Sequence, residues 1–367
     1  MASQRMLRTT SVQQKRIERE ERLGHHIPSI VVNKAARLIN VRHRDELKRF
    51  AKEYQNKSFK NIEEEYVCVQ GSISNLITQF FGFSPLTNAI ERSLRACLAA
   101  GRIEKNCREH FIHPFQIFLL GSIIIDKFYS DFQRWYDDEL AVSNDSCLES
   151  AWLLAAIFHD RGKGINILRT ILEPDIGQYG NKLPNEDVYL GFLSSFYNHR
   201  SNGNAVRTWT TQVQQNSALR DVLVSCSERW AHGVKSSLLM LKDICNNPRT
   251  ASPRDIAAAF AIAVHDRELW SSLRSINVFP IQMDMFPLSC LLLYLDAIQE
   301  WGRTELSDEE VHLVSMSFLD NSVTCEVAYE NSNHAAKKLA ECNETSLCWI
   351  SPTLELSLAI KIRLHYA

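Results

Sequence analysis

The sequence predicts a mainly α-helical protein that ends in a small α+β module. Three observations predict it. From about Ile27 to Arg303, apolar residues recur at helical spacing. Within that stretch, helix-start signals stand directly ahead of apolar runs. After Arg303 the apolar period falls to two, the spacing of half-buried strands.

The elements follow in order. Residues 1–26 carry Arg5, Arg8, Lys15 and Arg16 ahead of Glu18, Glu20 and Glu21, and read as a flexible charged arm. Residues 27–304 read as one all-helical domain. Its longest apolar stretch, Phe115–Ile125, contains Gln116 and is too short to span a bilayer. Asp145-Ser146 followed by Glu149 is a capping-box signal for the apolar helix that ends in Phe158, and Gly162 stops it. Residues 165–230 are irregular, with Gly177, Gly180, Pro184, Gly191 and a polar loop from Asn198 to Asn204. They read as an insertion able to roof a site. Ser252-Pro253 opens a helix to Val264-His265, with proline at the first helical position. Phe286-Pro287 opens another, expected from Leu288 to Trp301. Residues 305–367 form the α+β module. Strands at Val311–Leu319 and Val323–Tyr329 flank a turn at Asp320-Asn321-Ser322. A short helix, His334–Cys342, precedes a last alternating run, Leu354–Leu364. No internal repeat or low-complexity tract stands out.

Composition narrows the class. Apolar residues at 45% and charged residues at 23% are ordinary for a globular protein. A net charge of −2 gives no global field for nucleic acid or an anionic membrane. None of the ten cysteines forms a C-x-x-C pair, so they read as reduced core thiols of a cytoplasmic protein. The chain has no G-x-x-x-x-G-K-[ST] phosphate loop, no G-x-S-x-G elbow and no G-x-G-x-x-G after a strand.

The chemistry is carried by histidine and aspartate. His159 and Asp160 close the apolar run Ala151–Phe158. An imidazole and a carboxylate are both good ligands for a divalent first-row metal. A carboxylate against such a run is costly to bury unless something pairs with it. His113 lies upstream, and His232, His265 and Asp296 lie downstream, each on a stretch that reads as helix. Asp266, directly after His265, reads as a capping or solvated residue. Trp152 and Trp301 read as core.

This ordered set, H…HD…H…H…D, resembles the HD superfamily of metal-dependent phosphohydrolases, in the variant whose two extra histidines hold a second metal. The resemblance covers roughly His113 to Arg303. It implies that His113, His159, Asp160 and Asp296 hold one divalent ion. Asp160 would bridge to a second ion completed by His232 and His265. The gap of 73 residues from His159 to His232 departs from the compact members of the superfamily, which leaves His199 as the alternative ligand. The ions would be Mn, Fe, Ni, Co or Zn according to supply, with Mg also possible. Lys163, three residues past Asp160, matches the lysine that meets the substrate phosphate in related HD-x-GK phosphodiesterases. At helical spacing, Gln299 and Arg303 share a face with Asp296, and Lys235 lies three residues past His232. All four are candidates for binding a phosphate.

The implied activity is hydrolysis of a nucleotide or cyclic-nucleotide phosphodiester through a metal-bridging hydroxide. The alternatives are an HD-type nucleotidase or (deoxy)nucleoside triphosphohydrolase, and a non-catalytic nucleotide-binding regulator. The expected partner is a small-molecule phosphoester, with no nucleic-acid signature and no membrane. The C-terminal module is expected to serve dimerisation, ligand sensing or lid support.

Overall fold

The computed structural model describes residues 27–60, 62–82, 112–140, 147–160, 232–244, 252–266, 281–284, 286–299, 311–319, 321–342, 350–351 and 356–364. These are mainly helical, with a small sheet near the C-terminus. The helices are α1 (Ser29–Ala35), α2 (Arg44–Asn56), α3 (Ile62–Phe81), α4 (Ile112–Lys127), α5 (Tyr129–Leu140), α6 (Cys147–Phe158), α7 (His232–Ile244), α8 (Pro253–Val264), α9 (Pro287–Ile298) and α10 (Ser332–Glu341). The strands are β1 (Ile281–Gln282), β2 (Val311–Leu319), β3 (Ser322–Tyr329), β4 (Ile350–Ser351) and β5 (Ser357–Leu364).

Two helices form the centre. Every residue of α4 from Ile112 to Ile125 is buried, and in α9 every residue but Asp296 is buried. A helix that is apolar all round belongs in a core. α6 packs on α4 through a close contact. A side-chain carbon on Gly121 would lie 2.0 Å from the Trp152 ring, so only glycine admits the indole. The indole Nε1–H then donates to the Phe118 carbonyl at 3.1 Å. This contact sets the register between the helix that carries His113 and the helix that His159 directly follows.

The starts expected at Ser252-Pro253 and Phe286-Pro287 are found, while Asp145-Ser146 lies outside the described residues. Ser252 caps α8, the Asp255 side chain accepts from the Ser252 amide, and Pro253 opens the helix. Pro287 opens α9. The helix after the hairpin starts at Ser332 because Asn331 supplies the cap through a bond from the Asn333 amide.

One expectation is corrected. α9 ends at Ile298, not at Trp301, and Gln299 leaves the helix with φ −83° and ψ 97°. Gln299 therefore does not share a helical face with Asp296. Side-chain bonds to α4, described below, override the local helical pattern.

β2 and β3 form the antiparallel hairpin the alternation predicts, with Leu319 opposite Ser322, so Ser322 belongs to the strand. β5 adds parallel to β3, from Ser322↔Ser357 to Tyr329↔Leu364. The inner residues Val323, Cys325 and Val327 join the same apolar core as the helices. The Tyr294 hydroxyl on α9 donates to the Ala359 carbonyl of β5 at 2.6 Å. α9 thus touches the sheet through Tyr294 and the site through Asp296. Cys290, Cys325 and Cys342 are buried free thiols. Among the described residues, no helix is long and apolar enough to cross a membrane.

Candidate metal centre

Six side chains from five helices converge on one place. His113 comes from the first turn of α4, and His159 and Asp160 directly follow α6. His232 opens α7, His265 is the C-cap of α8, and Asp296 lies on α9. Two groups could each hold a metal ion: His113 with His159 and Asp160, and Asp160 with His232 and His265. Asp160 belongs to both.

The imidazoles are held from behind. Nδ1 of His159 donates to the Ala156 carbonyl at 2.7 Å, and Nδ1 of His265 donates to the Ile262 carbonyl. Both acceptors lie three residues back, at the last turn of the preceding helix. Nδ1 of His113 meets the Gln299 Oε1 atom, and Gln299 Nε2 donates in turn to Gln116 Oε1 at 3.0 Å. Nδ1 of His232 lies 2.9 Å from Asp266 Oδ2, which also accepts the Gly233 amide at 2.8 Å. A carbonyl oxygen only accepts, so His159 and His265 carry their proton on Nδ1 and turn an Nε2 lone pair inwards.

The inward atoms then face one another. Nε2 of His113 and His159 are 3.2 Å apart, and Nε2 of His232 and His265 are 3.1 Å apart. Asp296 Oδ1 lies 3.1 Å from His113 Nε2 and 3.7 Å from His159 Nε2. Asp160 Oδ1 lies 3.5, 3.7 and 3.8 Å from Nε2 of His159, His232 and His265. Asp160 Oδ2 lies 3.7 Å from His113 Nε2. Ligands about 2.1 Å from one ion sit roughly 3.0–3.5 Å from each other, so these spacings are those of neighbours around a cation. Converging lone pairs and carboxylates repel unless a cation, a metal ion or a proton, lies between them. Burial by itself opposes charge on His265, yet Asp160, Asp296 and Asp266 outweigh it and hold its pKa above the ordinary histidine value. Burial would raise Asp266, but the hydrogen bond and charge of His232, the Gly233 amide and His265 hold it well below the usual carboxylate range.

No protein-family model, curated protein or solved structure matches this chain. The cluster therefore stands on its geometry, which could hold a metal ion and is compatible with an HD site.

The two histidine pairs are built alike. Ala155–Asp160 reads Ala-Ala-Ile-Phe-His-Asp, and Ala261–Asp266 reads Ala-Ile-Ala-Val-His-Asp. α6 and α8 are both 12 residues long, and each histidine bonds the carbonyl three residues back. Each pairs with a histidine in the first turn of another helix, with ring centroids 5.1 Å apart in one pair and 4.9 Å in the other. The half-sites thus repeat a helix-pair geometry that the sequence conceals, because only one short segment is similar. The second aspartate has a different job: Asp160 enters the cluster, whereas Asp266 supports His232. Of the two readings of Asp266, the cap holds, through the Gly233 amide at the start of α7, and the solvated residue does not, because the side chain is buried. The second His-Asp pair was the signal that could have found it. Nothing in the sequence pointed to Gln116.

Of the proposed phosphate-binding residues, Gln299 is buried and holds His113. Lys235 lies on α7. Lys163, Arg303, His199 and the expected insertion at 165–230 lie outside the described residues, as do the arm at 1–26 and Trp301. His232 and Asp296 are each 24% exposed, while the other four side chains are buried. Among the six, these two are the ones that reach the surface.

Proposed function

We propose that this chain is a phosphohydrolase of the HD type that works with two divalent ions and cleaves a phosphodiester of a nucleotide or cyclic nucleotide. One observation carries the reading: Asp160 stands between two histidine pairs and belongs to both candidate groups. His113, His159, Asp296 and Asp160 would hold one ion, and His232, His265 and Asp160 the other. Two such ions bind a phosphate, make water a nucleophile near neutral pH and stabilise the leaving oxygen.

The chain's own part is positioning. The backbone carbonyls of Ala156 and Ile262 fix the tautomer of two imidazoles, while Gln299 and Asp266 orient the other two. The buried walls leave access beside Asp296 and His232. This reading assigns Lys163 and Arg303 to the phosphate charge, with Lys235 as a third cation, each on sequence position alone.

The test uses the purified full chain reconstituted with Mn²⁺. Elemental analysis should find two equivalents of metal, and the protein should hydrolyse bis(p-nitrophenyl) phosphate and at least one cyclic nucleotide. Asp160→Ala should lose metal and activity while its far-UV circular dichroism stays unchanged. Metal binding without hydrolysis of any nucleotide or aryl phosphodiester would overturn the enzymatic reading. Failure to bind any divalent transition metal would overturn the reading altogether.

A further inference from the structure

The net charge of −2 conceals a strong asymmetry. Residues 1–60 contain 15 Lys and Arg against 6 Asp and Glu, a surplus of nine. The remaining 307 residues carry a deficit of eleven. The described part of the basic segment is α1, the α1–α2 connection, α2 and the residues just after it. Arg37, Arg42, Arg44, Lys48, Arg49, Lys52, Lys57 and Lys60 are all exposed.

Helix geometry sorts these charges. Leu47, Phe50, Ala51 and Tyr54 form the buried stripe of α2. Arg44, Lys48 and Lys52 recur every four residues and so run along one flank of it. That flank faces α1: Gln55, on the same side, donates to Asn33 Oδ1 at 2.7 Å. The Arg44 guanidinium donates to the Ile39 carbonyl at 3.2 Å, which places the connection beside the stripe. Glu46 lies on the other flank, where it pairs with Arg49 at 2.6 Å, and the acid beside the stripe is the exposed Asp45, 3.7 Å from Arg44. Lys34 is turned away over the Phe318 ring.

The connection also holds out an apolar side chain. Ile39 is 68% exposed, among the highest of the large hydrophobic residues. Its backbone is fixed. The amides of Ile39 and Asn40 donate to Asp126 Oδ1 at 2.9 and 2.5 Å, and the Asn40 side chain donates to the Asp126 carbonyl at 3.0 Å. A rigid loop thus presents an isoleucine at the edge of a cationic stripe.

We infer that the α1–α2 face of this protein docks on an anionic lipid surface, with Arg37, Arg42, Arg44, Lys48 and Lys52 on the headgroups and Ile39 entering the acyl boundary. Cationic clusters of this size draw proteins to anionic leaflets, and an adjacent apolar side chain adds buried area. Nucleic acid fits the face less well. The aromatic residues of the segment, Phe50, Tyr54 and Phe59, are buried, which leaves no stacking platform for bases. An aliphatic tip has no partner on a phosphate backbone.

Cosedimentation of the full chain with vesicles tests it. Binding should be strong to phosphatidylcholine vesicles containing phosphatidylserine, weak to phosphatidylcholine alone, and lost at high salt. Lys48 and Lys52 carry no structural contact in the lipid-free fold that their reversal would break. The double variant Lys48→Glu/Lys52→Glu should bind the anionic vesicles at least roughly thirty-fold more weakly. Ile39→Asp should weaken binding further in the charge-intact protein. Unchanged melting temperatures would establish that both variants fold. Vesicle binding that survives the double reversal would overturn the proposal, as would binding to duplex or single-stranded nucleic acid with none to vesicles.

Discussion

Asp266→Ala separates the two halves of the centre. The Asp266 Oδ2 atom accepts from His232 Nδ1 at 2.9 Å and from the Gly233 amide at 2.8 Å. A hydrogen bond to a charged group contributes about 1.5–3 kcal/mol. The first of these bonds orients a proposed ligand. Its loss should weaken the second metal equivalent about 10- to 100-fold, the usual cost of losing an outer partner. The second bond caps α7. A buried amide left without its acceptor costs about 1–3 kcal/mol, so thermal stability should fall as well. His113 and His159 are held from behind by Gln299 and the Ala156 carbonyl, whereas Asp266 holds His232. The first equivalent should therefore keep its affinity. Competition with a fluorescent chelator, read beside elemental analysis, resolves the two equivalents. Asp266→Asn keeps an oxygen for both donors and removes only the charge, so it should fall between wild type and alanine. Two equivalents of wild-type affinity in Asp266→Ala would refute the idea that this carboxylate positions His232.

Two other perturbations follow from the packing. Gly121→Ala would place a carbon 2.0 Å from the buried Trp152 ring, and overpacking of this kind costs about 1–3 kcal/mol or more, so a melting temperature within a degree of wild type would show that α4 and α6 do not meet as described. His43 is packed between Phe80 and Phe118 and its Nδ1 has no hydrogen-bond partner; burial lowers its pKa from 6.5 to about 3. The unfolded chain binds that proton and the fold does not, so its contribution to stability is intact above pH 6.5 and falls by about 1.4 kcal/mol per pH unit towards pH 3. Urea unfolding of wild type and His43→Leu across that window should show the shallower slope in the variant, and equal slopes would mean that His43 is protonated in the fold.

The sequence by itself determined the helical body, the C-terminal hairpin and the candidates for the cluster, with His232 and His199 left as alternatives. Local physics suffices for these. Ser252-Pro253 and Phe286-Pro287 announce helix starts whatever surrounds them. The alternation from Val311 to Tyr329 can bury only one face. Histidines and aspartates that close apolar helices need a partner for their charge or lone pairs. Tertiary structure decided the rest. Gln299 reads as a phosphate-binding candidate on the Asp296 face of a longer helix, but the imidazole of His113, 186 positions away in sequence, draws its side chain inwards after α9 has ended. Asp160 and Asp266 follow similar local sequences, yet one enters the cluster and the other stands behind it. The difference lies in what α4, α7 and α9 bring to each, and no local pattern carries that information. The basic face of α2 escaped the net charge for a related reason: a sum over the chain cancels charges that the fold keeps apart.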